Sequence, residues 1–450
     1  MGSVLDSLPQ QPNPAPPILR ILGPFQNFAA NKASGGILLL VCTVFALVWA
    51  NSAWGETYTA FWHTKFAIGV ADFTLQEDLH FWVNDLLMAV FFLMVGLEIK
   101  REMLVGELAS PRHAALPIAA ALGGVVVPAL IYALLNRGGP GSPGWGIPVA
   151  TDIAFALGVL TLLGDRVPLS LKVFLTALAI VDDIAAVAVI AVFYTATISW
   201  SALGMAALCL AVLFVVNQLG VRHPLAYALL GVCLWIAVLR SGIHPTIAGV
   251  ALAFAIPCRT AMNSPEFLTH SRAVLDYFER ASRSEKDLMN NEDLQAAIEA
   301  LEDSCEKAQP PLYRIENALQ SWVTLLIMPL FALANAGLVL PGDLFKQLSQ
   351  PVTLGVVLGL LIGKPIGVTL GSWLAVRSGL SALPAGITWS HIHGAAWIAG
   401  IGFTMSLFVA GLAFRQESLL EMAKLGVLTA SVCAGIIGSV ILSRVSRLRR

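Results

Sequence analysis

Apolar residues run along this chain in blocks, separated by short polar joints. The blocks are roughly 20 residues long, enough for a helix to cross a hydrocarbon layer of about 30 Å. A membrane barrel would instead show alternating segments of about ten residues. The pattern predicts twelve helical spans, at 35–54, 82–105, 114–136, 147–164, 169–195, 201–219, 224–240, 243–257, 318–340, 352–376, 387–414 and 420–443. The eighth is short for a span. The fold class is therefore an all-α polytopic membrane protein.

Two blocks are interrupted. The fourth breaks at Ala150-Thr151-Asp152 and the eleventh at Gly400-Ile-Gly-Phe-Thr-Met405. A broken helix leaves backbone N–H and C=O groups unpaired at mid-membrane. Its half-helix ends carry partial charges that Asp152 and Lys364 would offset. The fourth block is second in the trio 3–5 and the eleventh is second in 10–12. Paired interruptions in two halves point to a transporter site.

The fifth block carries Asp182 and Asp183 near its midpoint, and the tenth carries Lys364. A charge at mid-membrane costs about 2.5–3.5 kcal/mol on insertion scales. Two adjacent carboxylates call for a cation or protons to neutralise them. Adjacent helical residues point about 100° apart, so one aspartate faces a central ion while the other turns toward Lys364. Such a pair titrates as a coupled unit. The expectation is an ion-coupled transporter. A purely structural Lys–Asp pair between two helices is the bland alternative, although a pair can be both.

Between spans eight and nine lies one long polar interval, 258–317, with twelve acidic and seven basic residues. Ser264-Pro265-Glu266 reads as a helix start, with Phe267, Val274, Leu275 and Phe278 on one face. A second helix is expected after Asn291, through Leu294, Ala297, Ile298 and Leu301, ending at Pro310-Pro311. The interval reads as a solvated helical insert under the membrane part. Residues 63–80 read as a small outside hairpin turning around Gly69–Asp72. Residues 1–19 read as a disordered tail without a cleavable signal, 21–30 as a surface helix, and 446–450 as a basic tail. Membrane parts are then 20–257 and 318–445.

Composition agrees. Of 450 residues 57% are apolar and 12% charged, and mean hydropathy is +0.77, against about 25% charged in soluble proteins. The formal net charge of −1 implies no nucleic-acid partner. The six cysteines are scattered with no CxxC pair, so neither a disulfide framework nor a metal site is expected. With the N-terminus inside, thirteen Lys and Arg fall in short inside segments against six outside. Both termini are therefore expected in the cytoplasm.

Other polar residues read less sharply. Asp85, near the outer end of the second span, can snorkel to water. Glu98, Lys100, Arg101 and Glu102 at its inner end read as surface pairs worth little. His244, at the start of the eighth span, reads as a satisfied interfacial histidine.

Taken together, Val95-Gly-Leu-Glu-Ile-Lys-Arg-Glu102, Thr151-Asp-Ile-Ala-Phe-Ala-Leu-Gly158, Ala179-Ile-Val-Asp-Asp-Ile184, Gly363-Lys-Pro365 and Gly400-Ile-Gly-Phe-Thr-Met-Ser406 resemble the bacterial NhaA family of sodium/proton antiporters. The resemblance runs from about residue 20 to 445. It implies twelve helices, with an inverted repeat of spans 3–5 and 10–12 and crossed breaks in spans 4 and 11; NhaA is itself a standard example of inverted repeats. By resemblance Asp182 and Asp183 bind the ion and protons, Asp183 being the principal sodium ligand. Thr151, Asp152 and Lys364 support the site, and Asp85 lines the access funnel. Glu98, Arg101, His244 and Glu316 match positions tied to pH response, the last less securely because of the insert. The resemblance also implies the bacterial inner membrane, and a homodimer joined through an outside hairpin.

Sodium and lithium are hard cations that take oxygen ligands. Competition between ion and protons at two carboxylates would give exchange, two protons in for one ion out, by alternating access. No cofactor is expected, since Na+ or Li+ and H+ are cargo. Three rivals stand beside this reading. A sodium-coupled symporter would need polar or aromatic residues lining a solute cavity near the breaks. An intramembrane aspartyl protease would need a Gly-x-Gly-Asp motif, which the fifth span lacks. A non-transporting scaffold would not need four ionisable residues at mid-membrane. The expectation is not an enzyme.

Overall fold

The computed structural model describes residues 34–70, 73–195, 198–282, 291–340 and 342–447. The expected N-terminal tail and surface helix, and the end of the basic C-terminal tail, lie outside the described residues.

Among the described residues the regular structure is helical apart from one hairpin. α1 (Ser34–Ala50) turns by 115° into α2 (Gly55–Trp62). β1 (Lys65–Val70) and β2 (Phe73–Asp78) pair antiparallel, with Lys65 opposite Asp78. α3 (Leu79–Val105), α4 (Pro111–Leu135) and a third apolar segment, Ser142–Leu162, follow. That segment holds a 3-10 helix at Ser142–Val149, a break at 150–152 and α5 (Ile153–Leu162). α6 (Leu169–Phe193), α7 (Trp200–Gln218), α8 (Pro224–Ser241) and the short α9 (Thr246–Ala255) complete the first half.

α10 (Ser264–Ser282) and α11 (Glu292–Ala308) form the expected helical hairpin. The Asn291 side chain caps α11 by accepting from the N–H groups of Asp293 and Leu294. Leu294 and Ala297 are buried, but Leu275 is exposed rather than on the shared face. The next helix, α12 (Pro311–Asn335), begins at Pro311 rather than at 318, so Glu316 belongs to that helix and not to the insert. Proline suits a first helical position, where its missing N–H has no partner to lose. α13 (Leu344–Leu348), α14 (Pro351–Arg377), α15 (Trp389–Ala399), α16 (Phe403–Ala413) and α17 (Glu417–Arg447) follow.

Among the described residues nine helices are long and apolar enough to cross a bilayer. Two bent pairs, α1 with α2 and α15 with α16 (46°), also qualify when each pair is taken together. This is a multi-pass membrane protein. α9, ten residues long, rises only about 15 Å and is the shortest of the apolar segments.

Two apolar cores divide the molecule. The larger surrounds the breaks and includes Phe92, Ile180, Leu360, Ile401 and Phe408. The smaller gathers α7, α8 and α9 around Leu213, Tyr227, Leu234 and Ala253. α3 contributes to both, Phe92 to the first and Leu97 to the second. Where helices press closest, glycine faces backbone: a Cβ at Gly123 or Gly367 would meet the carbonyl of the other, and one at Gly371 would meet Ala119 O. Small residues let α4 and α14 approach that closely, as is common in membranes.

Candidate ion-binding site

Asp182 and Asp183 lie mid-way along α6, both buried. Their side chains diverge as adjacent helical positions must. Asp182 turns to α14, where Lys364 Nζ donates to its Oδ2 at 2.5 Å. Thr151 Oγ1 lies 2.7 Å from the same oxygen. Among the described residues Asp182 Oδ1 and both oxygens of Asp183 have no hydrogen-bond partner, although Asp183 is only 1% exposed. A buried carboxylate left unpaired is costly enough that it takes up a cation or a proton.

Lys364 is placed by its neighbours. Pro365 has no N–H to return to the preceding turn, and the backbone at Gly359–Gly363 opens into a π-turn just before the lysine. Such widened turns recur at functional sites. A Cβ on Gly359 would overlap Pro148, and one on Gly363 would overlap Pro128. Glycine at both positions lets α14 lean on the neighbouring chain and drives Lys364 into the centre, where it is fully buried. Its Nζ also donates to Thr151 Oγ1 at 3.0 Å.

The two breaks cross and satisfy each other. Asp152 N donates to Ile401 O at 2.7 Å. Thr151 Oγ1 lies 2.9 Å from Ala399 O, the carbonyl end of α15. Ser406 Oγ donates to Ile147 O at 2.7 Å. The Asp152 carboxylate caps two helices at once. Its Oδ1 accepts from Phe155 N at 2.9 Å, in the first turn of α5. Its Oδ2 accepts from Thr404 N at 3.1 Å and Thr404 Oγ1 at 2.5 Å, in the first turn of α16. One negative charge thus answers two positive helix ends. Asp152 reaches both half-helix N-termini directly, whereas Lys364 meets a helix carbonyl end through the Thr151 hydroxyl. That hydroxyl has a single proton, so it donates to either Asp182 or Ala399 at any moment.

The remaining candidates form two clusters on α3. Asp85 and His244, read separately from the sequence, meet: His244 Nε2 lies 3.5 Å from Asp85 Oδ1. His244 Nδ1 is 2.8 Å from Thr246 Oγ1, and its ring stands edge-on to Phe408. Toward the other end, Arg101 Nη1 pairs with Glu316 Oε1 at 2.9 Å. Its Nη2 lies 3.8 Å from Glu98 and 3.4 Å from Glu102. Glu316 is buried and Arg101, Glu98 and Glu102 are half-buried, so this is a partly buried cluster rather than the surface pairing expected. Sequence reasoning gave no role to Thr404, whose position inside the eleventh interruption was the available signal. It also passed over Asn84 and Asn335, whose amides bond to each other at 2.7 Å beside Asp85; nothing in the sequence pairs residues so far apart.

The profile of the Na+/H+ antiporter 1 family matches residues 26–442. The chain belongs to that family. The Na(+)/H(+) antiporter NhaA of Oleidesulfovibrio alaskensis is 52% identical over 96% of both chains. Its namesake in Koribacter versatilis is 50% identical over 96% of this chain and 94% of its own. Na(+)/H(+) antiporter NhaA 1 of Saccharophagus degradans is 44% identical, with the same two coverages. Among solved structures, the sodium proton antiporter MjNhaP1 from Methanocaldococcus jannaschii aligns over 95% of this chain at 11% identity and a TM-score of 0.42. Family membership sets the chain among transporters rather than enzymes, and the protease reading falls.

Proposed function

We propose that this Na+/H+ antiporter 1 family member exports sodium or lithium in exchange for protons, and that the cargo binds at Asp182 and Asp183. The observation that carries the reading is the unpartnered, buried Asp183 carboxylate beside an Asp182 held by Lys364. A hard cation needs oxygen ligands. Asp183 offers two, Asp182 Oδ1 a third and the Thr151 hydroxyl a fourth. When the ion leaves, protons take the same carboxylates. The loaded or doubly protonated site reorients, and the empty charged site does not.

Two carboxylates to neutralise give two protons per ion, so one net charge crosses per cycle. At 100 mV that is about 2.3 kcal/mol. It sustains a sodium ratio of roughly 50-fold, since about 1.4 kcal/mol is tenfold. Asp85 and His244 line the outer approach, and Glu98, Arg101 and Glu316 set the pH response from the inner side. Twelve spans related by an inverted repeat, both termini in the cytoplasm of an inner membrane and a dimer built through the β1–β2 hairpin belong to the same reading. The charge asymmetry of the loops and the two crossed breaks support it.

The test is the reversal potential of exchange in proteoliposomes. Two-for-one exchange shifts it with membrane voltage; transport indifferent to voltage would refute the stoichiometry. Asp183→Asn is expected to insert normally and to lose exchange.

A further inference from the structure

α9 is held against α3 in an unusual way. Their contact is backbone on backbone: a Cβ at Gly249 would meet Ala89 O, and one at Gly96 would meet Val250 and Ala253. Smooth glycine surfaces of this kind offer few side-chain knobs to resist sliding. The two ends of α9 are fixed instead. At its head His244 faces Asp85 of α3. At its tail the Ile256 N–H is shared between Leu252 O and Ala253 O, and the carbonyls beyond them have no intrahelical donor. There Lys100 of α3 donates from one ammonium to Phe254 O at 2.8 Å, to Ala253 O at 3.4 Å and to Ile256 O. Asn217 takes Ala255 O at 2.6 Å. The next carbonyl, Pro257 O, accepts from Leu312 N, where the chain returns from the insert.

We propose that Lys100 is a positioning residue of the exchanger. By gripping the carbonyl end of α9 it locks α9 and α3 into one strut, and so keeps His244 in register with Asp85 at the other end. A cation is well suited to this place, because the helix C-terminus carries partial negative charge and an ammonium has three donors. Lys100 touches no cargo, and its effect on transport travels along α9. The inference rests on the reading of Asp85 as an outer access residue.

The experiment compares ion affinity from the two faces, in right-side-out and everted vesicles, for the wild type, Lys100→Met, Lys100→Arg and Asp85→Asn. Lys100→Met is expected to raise the outer-face KM for sodium by about threefold or more while the inner-face KM and the maximal rate stay within about twofold. Lys100→Arg, which keeps a multi-donor cation, is expected to restore the outer value. Should Lys100→Met not reach the membrane, Lys100→Gln, whose amide offers fewer donors, carries the comparison on the same criteria. An unchanged outer KM, or an equal loss at both faces that arginine does not rescue, would overturn the proposal. Asp85→Asn separates the two failures. If it leaves the outer KM unchanged, the access reading falls and the proposal with it. If it raises the outer KM and the Lys100 variants do not, the role of Lys100 alone is refuted.

Discussion

Lys364 Nζ lies 2.5 Å from Asp182 Oδ2, and both side chains are fully buried. The neighbouring Asp183, one residue along the same helix, has no hydrogen-bond partner among the described residues. The two aspartates are therefore unequal: one is tethered to α14, and the other is the one the proposed function assigns to cargo.

That inequality predicts opposite effects of the same substitution on stability. Asp182→Asn strands Lys364 as a buried cation, and breaking a buried pair from one side costs about 3–5 kcal/mol. Asp183→Asn breaks no hydrogen bond among the described residues and removes a buried carboxylate that has no partner there. Thermal unfolding of the purified protein is expected to show a lower Tm for Asp182→Asn, and an equal or higher one for Asp183→Asn. A drop of the same size in both would mean that Asp183 has a partner in the protein.

Removing both ends of the tether is expected to be milder than removing one. Lys364→Met alone leaves Asp182 buried with only Thr151 beside it. Lys364→Met with Asp182→Asn leaves no charge, and such double replacements are often close to neutral. The double variant should therefore unfold at a higher temperature than the Lys364 single variant. Additive losses would show that the two residues do not act as a pair.

Some of this was legible in the sequence and some was not. Asp182, Asp183 and Lys364 announce themselves because a charge inside an apolar block breaks a local rule. The divergence of the two aspartates follows from helical geometry alone, and the structure has it. The ends of the breaks were also readable, since Gly400 and Gly402 interrupt an apolar run. Which groups close those ends was not. Asp152 and Thr404 stand 252 positions apart, and no periodicity relates residues on different helices. Asp85 and His244 fail to announce their contact for the same reason. Arg101 with Glu98 and Glu102 looked like a solvated helix end, because burial by Glu316 of α12 depends on where the chain returns from the insert. Leu275 misled because amphipathic spacing gives a face without saying what covers it.

Asp152 gives a prediction about helix ends. Alanine there orphans the backbone N–H groups of Phe155 and Thr404 together, and each unmet buried donor costs about 1–3 kcal/mol. Asparagine keeps one acceptor oxygen, so it still serves one of the two helix ends, while its amide NH2 faces the N–H at the other. Tm is expected to fall in the order wild type, Asp152→Asn, Asp152→Ala. An asparagine variant as unstable as the alanine would mean that a single retained acceptor stabilises neither half-helix.

Competition at the aspartate pair fixes the sign of the pH effect on ion affinity. Under the proposed function protons and the cation occupy the same carboxylates, so acid is expected to weaken ion binding without lowering the number of sites. In the pH range where the pair is protonated, the apparent KM for sodium is expected to rise by about tenfold per pH unit for one competing proton, and more steeply toward about a hundredfold for two, as the coupled pair fills. The maximal rate at saturating sodium should hold, because enough ion displaces the protons. The slope of log KM against pH, measured with inner and outer pH set equal, reads the number of competing protons independently of any voltage measurement. A KM flat in pH with a falling maximal rate would place proton binding at a site apart from the ion, and Asp182 and Asp183 would then not be the shared carboxylates.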